Sequence, residues 1–81
     1  MLEELKSAKK VVGLKQLTKA LKEGRAAKVF IAADAEARVT RPIEQLCQTM
    51  AVPMETAPSM EELGRACSIE VGAAAAAILH E

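Results

Sequence analysis

Lys15, Lys19 and Lys22 recur at i, i+4 and i+7, the spacing that sets three ammonium groups on one side of a helix. Leu14, Leu17, Ala20 and Leu21 supply the apolar side, and Gly24 follows as a suitable C′ residue that ends the helix. Gly13 stands directly before it. A helix start offers free backbone N–H groups and partial positive charge, both of which favour anions. The same spacing also describes the solvated face of any amphipathic helix, so the charge of the rest of the chain has to be weighed.

That charge is segregated behind a formal net of +0 and a pI near 6.6. Met1 to Lys28 holds eight bases and three acids, a balance of +5, whereas Val29 to Glu81 holds three bases and eight acids, a balance of −5. A basic third joined to an acidic remainder points to one face that meets a polyanion. Phe30 is the sole aromatic residue, which excludes the aromatic stacking platforms of RRM sheets and OB-folds.

Other classes find little support. The chain shows no nucleophile–base pairing, phosphate-cradling glycine loop or cofactor motif, so neither catalysis nor a cofactor is expected. Cys47 and Cys67 form no C-x-x-C; with His80 they fall short of the four ligands of a structural zinc site and read as buried thiols, and no metal is expected. His80, one residue from the end, is expected to fray. The N-terminus has no signal-peptide pattern, and the longest apolar stretch, Val71 to Leu79, is about half of a membrane span. These features predict a reduced, soluble, cytoplasmic protein without a membrane partner.

The elements that must position the lysines follow from periodicity. Residues 1–81 make one small domain, whose core must be well filled. Leu2, Leu5 and Ala8 predict a first helix over 2–9, and Val11-Val12-Gly13 a short strand or turn. The second helix follows from Leu14, and residues 28–34 read as a buried strand. Asp34 to Val39 reads as a loop, with Thr40 capping a third helix and Pro42 in its first turn. Met54 to Ala57 reads as a strand, and Ser59 with Glu62 as a capping box opening a fourth helix. Five successive alanines favour helix by propensity, but the alternation of elements needs a partner strand, so Gly72 to Leu79 is assigned as one. The expected fold is an α/β/α three-layer sandwich with a mixed sheet of about four strands.

Three segments at matched spacing now carry a resemblance: Gly13-Leu14-Lys15-Gln16-Leu17-Thr18-Lys19-Ala20-Leu21, Ile31-Ala32-Ala33-Asp34-Ala35-Glu36 and Leu63-Gly64-Arg65-Ala66-Cys67-Ser68-Ile69-Glu70-Val71. Together they resemble the kink-turn-binding ribosomal protein family of the L-seven-Ae type, and within it the bacterial YbxF/YlxQ-like branch. The resemblance implies a noncatalytic partner of structured RNA containing a kink-turn, in ribosomal RNA, a riboswitch or a messenger leader. It implies a monomer with a possible place in a ribonucleoprotein such as the ribosome.

Carried over residue by residue, Gly13, Lys15, Gln16 and Lys19 would face the RNA, while Ile69, Glu70 and Val71, with Glu36 and more weakly Thr40, would line the place of bulged nucleotides. The chemistry suits the roles. Lys15 can donate to guanine O6 and N7, Gln16 can donate and accept on a base edge, and Ile69 and Val71 can cover an unstacked base. Arg65, Lys9, Lys10 and Lys28 are candidate phosphate partners. Three departures stand out. Lys15-Gln16 replaces the Asn-Glu of the archaeal and eukaryotic branch, and Glu23 replaces a frequent Arg. Ser68 occupies a position where glycine is common; if that site needs positive φ, serine costs about 1 kcal/mol. The alternative to RNA recognition is a protein–protein adaptor on the same sandwich, since fold alone does not fix function.

Overall fold

The computed structural model describes residues 4–80, so Leu2 of the expected first helix lies outside the described residues. In order run α1 (Glu4–Ser7), β1 (Lys10–Val12), α2 (Leu14–Lys22), β2 (Ala26–Ala32), α3 (Ala37–Thr49), β3 (Met54–Ala57), α4 (Met60–Ala66) and β4 (Ala75–Leu79). The strands form one sheet in the order β1-β4-β2-β3, parallel between β2 and β3 and antiparallel elsewhere. The expected mixed sheet between helical layers is therefore present.

Alternation along β2 builds both cores. Val29 and Ile31 face α2 and α3, where Leu17, Leu21, Ile43 and Cys47 meet Ala75 and Ala77. Phe30 and Ala32 face the other way, toward Leu5, Leu63, Cys67 and Ala76. The alanine run is a strand because β4 lies inside the sheet with helices over both faces; Ala75, Ala76 and Ala77 are all 0% exposed. Burial on two sides outweighs the helix preference of about 0.5 kcal/mol or less per alanine over its neighbours on propensity scales. The strand begins at Ala75, later than Gly72. The residues before it lie along α4 instead, where the Ala73 N–H donates to the Met60 carbonyl at 3.0 Å.

The third helix also starts elsewhere than expected. It opens at Ala37 with Glu36 as its extended N-cap, and Thr40 is a buried first-turn residue whose hydroxyl approaches the Glu36 carbonyl at 3.5 Å. Starting there places Thr40, Ile43 and Cys47 on one buried face. Pro42 consequently sits inside the helix rather than in its first turn, and leaves the Arg38 carbonyl without its usual N–H donor. β2 likewise begins at Ala26, before Lys28, and ends at Ala32. His80 is tied down rather than frayed, its N–H donating to the Arg25 carbonyl at 2.8 Å.

α2, α3 and α4 end in the same way. Gly24, Ala51 and Ser68 follow the caps with φ of 72°, 55° and 63°. In each case the next residue's N–H reaches back to the third-last helical carbonyl: Arg25 to Ala20, Val52 to Cys47 and Ile69 to Gly64. This is the Schellman arrangement, which glycine occupies without strain and Ala51 and Ser68 do not. Cys47 and Cys67 are buried free thiols. Burial raises both pKa values, with Glu44 adding to the rise at Cys47 and Lys10 opposing it at Cys67.

Candidate nucleic-acid interface

β1, β2 and β3 finish at the end of the sheet where β4 begins, as the pairs Val12–Ala76, Ile31–Ala75 and Ala32–Ala57 require. Gly13 is at that end as the N-cap of α2, with φ 99° and ψ 148°, a conformation L-residues rarely adopt. A Cβ added there would meet nothing within 4 Å, so backbone conformation and not crowding demands glycine. The Gly13 N–H donates to Ala75 at 3.4 Å, and its carbonyl accepts from Leu17 at 3.0 Å. No side chain caps the helix, so its first-turn N–H groups face outward without a protein acceptor from that source.

Lys15, Gln16 and Lys19 are exposed on this helix, as is Lys22. None of the three lysines has an ion-pair partner among the described residues. The expected basic face is therefore a solvent-facing stripe opening at Gly13. α4 has the opposite character, with Glu61 and Glu62 in its first turn, and its Arg65 pairs with Glu61 at 2.7 Å.

The second motif is a loop fixed to α4. Ser59 caps that helix by accepting from the Glu62 N–H at 3.1 Å, as its sequence predicts. Asp34 adds a contact that sequence spacing did not indicate: its Oδ1 accepts from the Met60 N–H at 2.8 Å, binding the β2–α3 connection to the start of α4. Within α4, Gly64 lies directly beneath Val71 of the loop that follows the helix. A Cβ at Gly64 would collide with the Val71 carbonyl oxygen and approach the Gly72 Cα at 3.2 Å. Gly64 thus allows the loop to lie flat on the helix. Ile69 is half-buried against the core, Glu70 is exposed, and Val71 is 71% exposed, a large apolar side chain held out to solvent.

The remaining candidates are spread more widely. Glu36 is exposed at the start of α3, its carboxylate held by Arg38 at 2.8 Å. Lys9 and Lys10 lie toward the other end of β1, with Lys10 opposite Ile78 and the Lys9 carbonyl accepting from Leu79. Lys28 is not brought to the Gly13 end. It sits opposite Ile78, paired with Glu55 at 2.8 Å and Glu4 at 3.1 Å and placed over the Phe30 ring. The Glu55 hydrogen bond, then that of Glu4, raises the Lys28 pKa above the ordinary lysine value. Among the described residues no His/Cys/Asp/Glu group is placed to hold a metal ion, and no helix is long and apolar enough to cross a membrane.

The family model for the ribosomal protein L7Ae/L30e/S12e/Gadd45 family matches residues 1–81. The chain belongs to this family. Among L7Ae-family relatives, the RNA-binding protein YbxF of Geobacillus stearothermophilus is 44% identical over 76 residues, covering 94% of this chain and 93% of YbxF. An RNA-binding protein of Geobacillus kaustophilus is 45% identical over the same shares. The Giardia lamblia 15.5kD RNA binding protein has a TM-score of 0.89 and 29% identity, covering 99% of this chain and 71% of its own. A Bacillus halodurans protein at TM-score 0.88 and 20% identity shares the L7Ae fold.

Proposed function

We propose that this L7Ae-family protein is a noncatalytic RNA-binding protein that recognises kink-turns. The carrying observation is the exposed stripe of Lys15, Gln16 and Lys19, opening at an uncapped helix start whose Gly13 presents bare backbone. Tandem sheared G·A pairs in a widened groove expose guanine O6 and N7, acceptors for Lys15 and Lys19, and a base edge for Gln16. The N–H groups of the first turn suit a neighbouring phosphate. Val71 and Ile69 supply an apolar cover for a bulged base in place of aromatic stacking.

The names of the relatives support an RNA partner, and the stripe's position supports recognition by shape and base edge rather than by charge alone. The protein acts in this reading as a cytoplasmic monomer, on the ribosome or on another kink-turn RNA. Lys15→Ala and Gln16→Ala should each weaken kink-turn binding by about 1–3 kcal/mol, roughly 5- to 150-fold, in a titration of labelled RNA. Wild-type affinity in both variants would remove this helix from the interface and favour the adaptor reading.

A further inference from the structure

A second feature of the basic layer extends past the kink-recognition residues. Between α2 and α3 runs an open groove of about 350 Å³, lined by Thr18, Lys22, Pro42, Ile43, Gln45, Leu46 and Thr49. No carboxylate is among these lining residues; Glu44, on the same helix as Gln45, lines a different hollow beside β3. The two threonine hydroxyls already donate within their own helices, Thr18 to Leu14 at 2.7 Å and Thr49 to Gln45 at 3.1 Å. The groove's polar offering is then the Lys22 ammonium and the Gln45 amide, with Arg41 exposed beside Pro42 and one turn before Gln45. Neither Lys22 nor Arg41 is ion-paired among the described residues.

Lys22 continues the face begun by Lys15 and Lys19, and seven residues of helix carry that face roughly 10 Å along the molecule. Along one strand, where the charges of duplex DNA lie ~3.4 Å apart, a span of that length meets about three phosphates. Pro42, Ile43 and Leu46 form the groove's apolar floor, but Ile43 is buried in the core and Leu46 half-buried, which leaves less apolar surface than a protein partner would cover. Basic side chains, no opposing acid and continuity with the kink-facing stripe favour a nucleic-acid backbone.

We propose that the α2–α3 groove carries the sugar–phosphate backbone of one duplex arm of the bound RNA, with Lys22 and Arg41 as its phosphate contacts. The inference rests on the RNA-binding reading above and extends its footprint; these contacts add affinity and orient the arm without reading sequence.

The test uses two RNAs with one kink-turn, one with long arms and one with both arms trimmed to the pairs nearest the kink. Wild type and the Lys22→Ala/Arg41→Ala double variant are titrated with each across a salt series. Two phosphate contacts at ~0.9 each should steepen the wild-type log–log salt slope by about 2 on the long RNA, so wild type loses about tenfold more affinity than the double variant between ~50 and ~200 mM salt. The double variant should show equal slopes on both RNAs and wild-type affinity for the trimmed one, which also establishes that it is folded. Equal slopes for wild type and variant on the long RNA would overturn the groove contacts while leaving kink recognition standing. Equal losses by the variant on both RNAs would place the two cations at the kink and also overturn the inference. Failure of wild type to bind either RNA would remove the RNA-binding reading and this inference together.

Discussion

Gly64→Ala tests how the Ile69–Val71 loop is held. The new methyl would press on the Val71 carbonyl oxygen, with the Val71 carbonyl carbon at 3.1 Å and the Gly72 Cα at 3.2 Å. All three are backbone atoms, so no rotamer change relieves the contact. The loop would have to back away from α4, to which it is fastened on both sides: Ile69 N–H to Gly64 at 3.1 Å and Ala73 N–H to Met60 at 3.0 Å. Each such bond contributes about 0.5–1.5 kcal/mol, and overpacking a tight contact costs about 1–3 kcal/mol. A loss near 2 kcal/mol corresponds to a fall in Tm of about 8–16 °C for a domain of this size. Melting followed by far-ultraviolet circular dichroism suits a chain with no Trp or Tyr. Kink-turn affinity should fall too, because Val71 moves, while the salt dependence set by Lys15 and Lys19 stays as in wild type. A variant that melts within about 2 °C of wild type and binds RNA equally would refute the account of this loop.

The helix ends give an opposite expectation. Ser68→Gly and Ala51→Gly should each raise stability by about 0.5–1 kcal/mol in chemical denaturation, since the ~1–2 kcal/mol left-handed penalty is only partly offset by glycine's larger unfolded-state entropy. Loss of stability in either would mean that the side chain contributes more than its backbone strain costs. Lys28, with its raised pKa, contributes stability that is whole below the ordinary lysine range near ~10.4 and fades as pH rises through the raised value. Lys28→Met should therefore be less stable than wild type at neutral pH, with the two melting curves converging in strong alkali. Its RNA salt slope should match wild type, because Glu55 and Glu4 already hold the ammonium; a shallower slope would contradict that assignment.

The sheet and its helical layers were legible because apolar periodicity in this chain agrees with its local signals. The Ser59 cap and the Lys15–Lys22 stripe needed no tertiary information. The alanine run was legible only through topology: propensity favours helix, and the need for a partner strand selects the strand that β4 forms. The start of α3 was misread because Thr40 and Pro42 form a plausible local start signal, whereas burial of Thr40 with Ile43 and Cys47 selects Ala37. Lys28 reads in sequence as a candidate phosphate partner because nothing there joins it to Glu4 and Glu55, which the fold brings from α1 and β3. Asp34 was invisible for the same reason, its partner lying twenty-six residues away. Nothing local in the sequence gives the role of Gly64, and only the position of Val71 shows that it packs.

The most direct measurement of the central claim is a titration of labelled kink-turn RNA beside the same RNA with its G·A pairs converted to Watson–Crick pairs. The label belongs on the RNA because the protein has no Trp or Tyr. The account predicts tight binding to the first and at least ~100-fold weaker binding to the second, given the several kcal/mol that separate specific from non-specific recognition. Equal, salt-sensitive binding to both would contradict kink-turn recognition and leave only a basic surface.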